Sequence, residues 1–136
     1  MLTRSISLTM TLALGTGLAA ISCARPGVSA DPVAVSADPV AVSPQYYKVL
    51  LDSNHVRVLE YRLGPGRREP MHAHPDYLVY FFGEARLRAA YPDGHTSEAV
   101  VTAGETVYRK GLSHSVENIG ETDVHALLIE LQPGSR

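Results

Sequence analysis

The chain has 136 residues, 12 basic against 14 acidic side chains, a formal net charge of −2 and one cysteine. That length suits one domain, and a near-balanced, slightly negative charge argues against a nucleic-acid partner, which needs a basic face.

Arg4 precedes an uncharged stretch from Ser5 to Ser22, SISLTMTLALGTGLAAIS, apolar enough for the core of an export signal. An uncleaved anchor is the alternative, since the stretch is at the short end of what spans a bilayer. Two cleavage patterns compete. AAISC, ending at Cys23, resembles a bacterial lipoprotein signal whose cysteine is lipidated, and VSA, ending at Ala30, resembles an ordinary small-x-small site. The second is preferred because the lipoprotein pattern favours Leu where Ala20 stands. Residues 1–30 thus read as an export signal, the protein as periplasmic or secreted, and membrane attachment as arising only through lipidation at Cys23. The heptapeptide SADPVAV then occurs twice, at Ser29 to Val35 and Ser36 to Val42. Proline and small residues cannot build a core, so 31–45 reads as an extended linker. Beyond Cys23 there is no thiol, which excludes disulfides and a cysteine nucleophile within the domain.

From Tyr46 the pattern is one of strands. HVRVLEYRL (55–63) is rich in β-branched and aromatic residues and ends at the turn Gly-Pro-Gly. EPMHAHPDYLVYFFG (69–83) places His72 and His74 one residue apart, ahead of an apolar and aromatic run. ARLRAAY (85–91) alternates Leu87 and Ala89 against Arg86 and Arg88, and Pro92-Asp93-Gly94 predicts a hairpin. SEAVV, ETVYRK and SHSVEN follow, each leading to a glycine, and VHALLIEL (124–131) closes the domain. No stretch after Pro44 keeps helical spacing. Many short strands at regular spacing predict an all-β antiparallel sandwich or barrel of about 90 residues over 46–133. Its core would be modest, and a homodimer formed through an exposed sheet would add to it.

Alternate side chains of a strand share a face, so His72 and His74 project together about 7 Å apart, which suits two imidazoles on one ion. Gly66, five residues, His72, one residue, His74 resembles the opening of the first conserved motif of the cupin superfamily. Gly104 is followed by ETVYRKGLSHSVEN, which resembles the second motif: a glycine, a turn, His114, three residues and Asn118. The similarity covers residues 46–133 and implies a cupin-type jelly-roll β-barrel. It also implies that His72, His74 and His114 point into the barrel mouth and share a divalent metal, whether Fe, Zn, Mn, Ni or Cu. Two departures stand out. The Glu that the first motif places three or four residues after the second histidine falls here on Leu78 and Val79; counting back seven from Gly83 gives Asp76 instead, a fourth ligand only if the loop at Pro75 shortens. The second motif has Lys110 in place of its usual proline and is one residue shorter before His114.

An ion on three imidazoles keeps its full double charge, a strong Lewis acid for water or an anion. With iron it would resemble the three-histidine thiol dioxygenases of the superfamily, and with zinc a tetrahedral triad plus water. The resemblance therefore implies an exported metal-dependent enzyme, dioxygenase-like, acting on a small molecule, or else a small-ligand binding or sensing module without turnover. No separate catalytic residue is assigned. His125 shares a face with Leu127, Ile129 and Leu131 and reads as a packed core or rim histidine; His55 and His95 read as solvated. Tyr77, Tyr80, Phe81 and Phe82 read as partly pocket and partly core. Asn118 orients a ligand or pairs backbone at a strand end. Arg67, Arg68, Arg86, Arg88 and Arg109 read as a solvated face rather than an anion site.

Overall fold

The computed structural model describes residues 37–133. The expected export signal, Cys23 and the first copy of the heptapeptide lie outside the described residues. In chain order the elements are α1 (Pro39–Val42), β1 (Tyr47–Asp52), β2 (Val56–Leu63), β3 (His72–His74), β4 (Tyr77–Phe81), β5 (Ala85–Ala90), β6 (Thr96–Val101), β7 (Thr106–Arg109), β8 (Leu112–Asn118) and β9 (Val124–Leu131). Every strand pairing is antiparallel. One sheet runs β1-β2-β9-β4-β7 and the other β3-β8-β5-β6. Their inner faces meet in one core that includes Leu59, Tyr61, Leu63, Phe81, Val101, Val116 and Leu128. This is the antiparallel barrel that the strand spacing predicts, in the jelly-roll form that the cupin resemblance implies, and each fully buried leucine in it contributes roughly 1.5–3 kcal/mol of apolar transfer.

The hairpin between β5 and β6 forms where Pro92-Asp93-Gly94 predicts it. Gly94 takes φ of 88°, a region most side chains avoid, and its N–H donates to the Tyr91 carbonyl at 2.9 Å.

Two expectations require correction. Residues 37–42 of the second heptapeptide copy are not an extended linker, because Asp38 caps a helical turn by accepting from the N–H groups of Val40 (2.9 Å) and Ala41 (3.2 Å). Pro39 fills the first helical position, where its missing N–H costs nothing. Pro39 and Ser43 are fully buried, and the Ala73 N–H donates to the Ala37 carbonyl at 2.9 Å. This segment is therefore part of the domain. The second correction concerns β9, where Val124, Ala126, Leu128 and Glu130 face inward and His125, Leu127, Ile129 and Leu131 face outward. A central strand carrying apolar residues on both faces does not reveal its inner side by periodicity. Of the two readings, core or rim, His125 therefore takes the rim; it meets Glu60 at 2.9 Å and packs tilted against Phe82 with ring centroids 4.4 Å apart.

Candidate metal centre

Local backbone pairing brings the two motifs into register. Gly66, with φ of 68°, donates its N–H to the Asn118 carbonyl, the Asn118 N–H donates to Arg67, and the Glu69 N–H donates to Val116, each at 2.9 Å. Continued along β3 and β8, this pairing sets His72 opposite His114 and His74 opposite Leu112. Strand alternation then turns all three imidazoles to the inner face. One nitrogen from each ring lies within 4.8 Å of the other two, a group that could hold a metal ion.

Hydrogen bonds at the far side of two rings fix their tautomers. The Pro70 carbonyl accepts from His72 Nδ1 at 2.9 Å, and Glu130 Oε1 accepts from His74 Nδ1 at 2.6 Å. The two Nε2 atoms turn toward each other and stand 3.0 Å apart, with the Tyr47 hydroxyl 3.4 Å from that of His72. His114 Nε2 is buried without a partner among the described residues. Burial pushes the His72 pKa down to about 4; burial, followed by the neighbouring His72 and His74, pushes His114 down to about 3. Neither ring takes a proton near neutral pH, so neutral rings are left facing one another. A divalent cation is the partner that such a donor set fits.

Two glutamates that no motif or alternation singles out flank the triad. Glu130 is fully buried behind His74, and its Oε2 accepts from Arg57 Nε at 2.6 Å. Arg57 in turn pairs with Asp38. Burial raises the Glu130 pKa, but the bonds from His74 and Arg57 outweigh it and hold the carboxyl below its ordinary range. A line of charged contacts thus runs from the α1 cap to a ring of the triad, fixing that ring as outer partners fix metal-bound histidines. Glu69 is 1% exposed and sits at the front. It accepts from the hydroxyls of Tyr47 (2.9 Å) and Tyr61 (3.1 Å), and its Oε1 lies 3.7 Å from His72 Nε2. Burial outweighs the two tyrosine bonds and pushes its pKa up to about 7. No lysine or arginine among the described residues pairs with it.

His74 and His114 open on a cavity of about 120 Å³. His74, His114 and Glu69 form a polar wall, Leu87, Val107, Val116 and Leu128 belong to the apolar lining, and Arg109 stands on the β7 side.

The chain matches no protein-family model and no curated protein. Among solved structures it is similar to a cupin domain of Bordetella pertussis Tohama I, 29% identical over 64% of this chain and 92% of that one, with a TM-score of 0.59. It also resembles a double-stranded β-helix protein of Klebsiella pneumoniae, at 20% identity over 65% of this chain and 72% of that one, with a TM-score of 0.52. A cupin superfamily protein of Desulfitobacterium hafniense shares 12% identity over 64% of this chain and 76% of that one, with a TM-score of 0.50. The fold is the cupin barrel.

Within the cupin barrel the remaining candidate residues take distinct places. Asp76 does not join the triad. Its oxygens accept from the Tyr108 hydroxyl at 2.6 Å and the Gly111 N–H at 2.8 Å, and those bonds, Tyr108 first, hold its pKa below the ordinary range. It ties the β7–β8 connection instead. Of the two residues in the motif's usual Glu slots, Val79 lines the cavity and Leu78 does not. Asn118 pairs backbone: its amide donates to the carbonyls of Leu63 and Thr122, and its oxygen accepts from the Gly120 N–H. Tyr77 and Phe81 line the cavity, while Tyr80 and Phe82 are exposed outside. His55 is exposed, and so is His95, which bonds Asp93 and stacks on Tyr91.

Proposed function

We propose that this cupin barrel holds one divalent metal ion on His72, His74 and His114 and acts as a metal-dependent enzyme on a small molecule seated in the adjoining cavity. The observation that carries the reading is the convergence of one nitrogen from each of three imidazoles within 4.8 Å of one another, one ring among them, His114, having its Nε2 buried without a partner among the described residues. Three ring nitrogens converging in this way form a donor set that a divalent cation fits. Glu69 supports it, because a buried carboxyl without a basic partner is compensated best by a metal next to it. An ion bound there supplies a Lewis-acid centre that polarises an oxygen atom of water or ligand. The chain's own residues do the rest: Glu130 and Pro70 orient two rings, Glu69 offers the counter-charge, and the apolar lining excludes water. Imidazole ligands suit Zn, Cu, Fe and Ni alike.

The proposed setting is outside the cytoplasm, on the strength of residues 1–30. The proposed assembly is a homodimer, supported by Val49, Leu50 and Leu51 on β1, which are 43%, 49% and 50% exposed.

Thermal melts of the metal-free chain with added Fe(II), Zn(II), Mn(II), Ni(II) and Cu(II) test the site, because a ligand that binds only the folded state raises Tm. At least one metal is expected to stabilise the wild type and to leave His72→Ala unmoved. An equal response in both proteins, or none in either, would overturn the proposal. A ligand that binds the loaded form and is recovered unchanged would make the barrel a binding module instead of an enzyme.

A further inference from the structure

We propose that the cavity takes a small organic anion, a monocarboxylate whose apolar body is a single ring or a short branched chain, and that Arg109 is the residue that binds its carboxylate. The inference deepens the proposed use of this cavity as a ligand site and rests on that reading. Among the described residues, Arg67 and Arg109 are the arginines without an ion-pair or side-chain hydrogen-bond partner, and of these two Arg109 lines the cavity. Arg57 pairs with Glu130 and Asp38, Arg62 with Glu60, and Arg86 and Arg88 with Glu98, Arg88 reaching Glu117 as well. Arg68 donates to the Ser115 hydroxyl. Arg109 has no carboxylate at ion-pair distance among the described residues, and it is an arginine that lines the cavity. β7 places it there: Val107 and Arg109 share the cavity-facing register, with Thr106 and Tyr108 on the other side.

Arg109 stands opposite Tyr77 in the β4–β7 pairing, and its charge reaches both Tyr77 and His114. It therefore acts on the same space as the triad. A guanidinium presents donors in a planar fork that matches a carboxylate. With a divalent ion at the inner wall and Arg109 on the β7 side, three positive charges face the single carboxylate of Glu69, so the net field in the cavity favours a negative ligand. The apolar lining sets the rest of the ligand, because Leu87, Val107, Val116 and Leu128 offer no hydrogen bonds. Size is the last constraint. A dry cavity of about 150 Å³ in another protein takes a benzene ring, and the cavity here is about 120 Å³.

The probes are benzoate and isobutyrate, each against its uncharged amide, measured by titration calorimetry on the full chain in metal-loaded and metal-free form. At least one acid is expected to bind tighter than its amide by roughly ten-fold or more, the scale of a charge-assisted hydrogen bond. Arg109→Gln should abolish that preference while keeping its metal content, and Arg109→Lys should recover part of it. Equal binding of acid and amide, failure of both acids to bind, or a preference that survives Arg109→Gln would overturn the inference. A preference that persists in Arg109→Gln and disappears with the metal would assign the carboxylate to the ion. If the chain takes no metal yet still prefers the acid through Arg109, the metal reading fails and the anion inference stands.

Discussion

His74 and His125 each meet a glutamate at hydrogen-bond distance, His74 with Glu130 at 2.6 Å inside the barrel and His125 with Glu60 at 2.9 Å on its outer face. The side chains of the inner pair are 1% and 0% exposed, those of the outer pair 29% and 23%. Inside, water cannot replace a lost partner, so the pair orients a ring and Arg57 must balance the remaining charge. Outside, Arg62 shares Glu60 with His125, and solvent screens all three. The same two residue types thus build a site in one place and decorate a surface in the other. Enclosure and aim decide the difference: His74 Nε2 faces His72 Nε2 inside the barrel, whereas His125 packs on Phe82.

The largest effect should follow from breaking the inner pair. Glu130→Ala leaves Arg57 and His74 buried without their partner, at a cost of about 3–5 kcal/mol. Chemical denaturation should therefore show a large fall in the midpoint, and a midpoint unchanged from wild type would put the inner pair on a level with the outer one.

Acid should act next, through burial of neutral rings. The folded pKa of His72 is depressed from 6.5 to about 4, so its contribution is fully present above pH 6.5 and is lost as pH falls through 4. A ten-fold drop in proton affinity corresponds to about 1.4 kcal/mol, which makes the loss on the order of 3 kcal/mol. Melts of the metal-free chain from pH 7 to 4 should show it, and His72→Gln should flatten the curve.

Glu69→Gln sharpens the comparison from the front of the site. Metal affinity should weaken by roughly ten-fold, about 1.4 kcal/mol, as when an outer partner of a metal site is removed. The metal-free variant should instead gain stability at neutral pH. The Glu69 pKa is raised from 4.5 to about 7, so its favourable contribution lies below pH 4.5 and is lost as pH rises through 7. Competition against a chromophoric chelator reads the first effect and melting the second. The smallest change belongs to the outer pair: His125→Ala should cost about 0.5 kcal/mol or less.

The strands were legible in the sequence because period-two alternation is a local signal, whereas the grouping of His114 with His72 and His74 was implied only by the resemblance to the cupin motifs. Glu130 was less legible. It occupies the inward register of Val124, Ala126 and Leu128, but β9 is apolar on both faces, and the more hydrophobic face is the outer one. Glu69 precedes β3 without any alternation to place it, and only the folded backbone carries Tyr47 and Tyr61 to it. Asp38-Pro39 reads by composition as a linker, yet Asp before Pro is also how a helix begins. The contact that selects between the two, Asp38 with Arg57, is distant in sequence.

The central claim is that three imidazoles hold one ion, and elemental analysis of untagged chain beside His114→Ala tests it most directly. The account predicts about one divalent metal per wild-type chain and a large loss in the variant. Equal, sub-stoichiometric metal in both would contradict it.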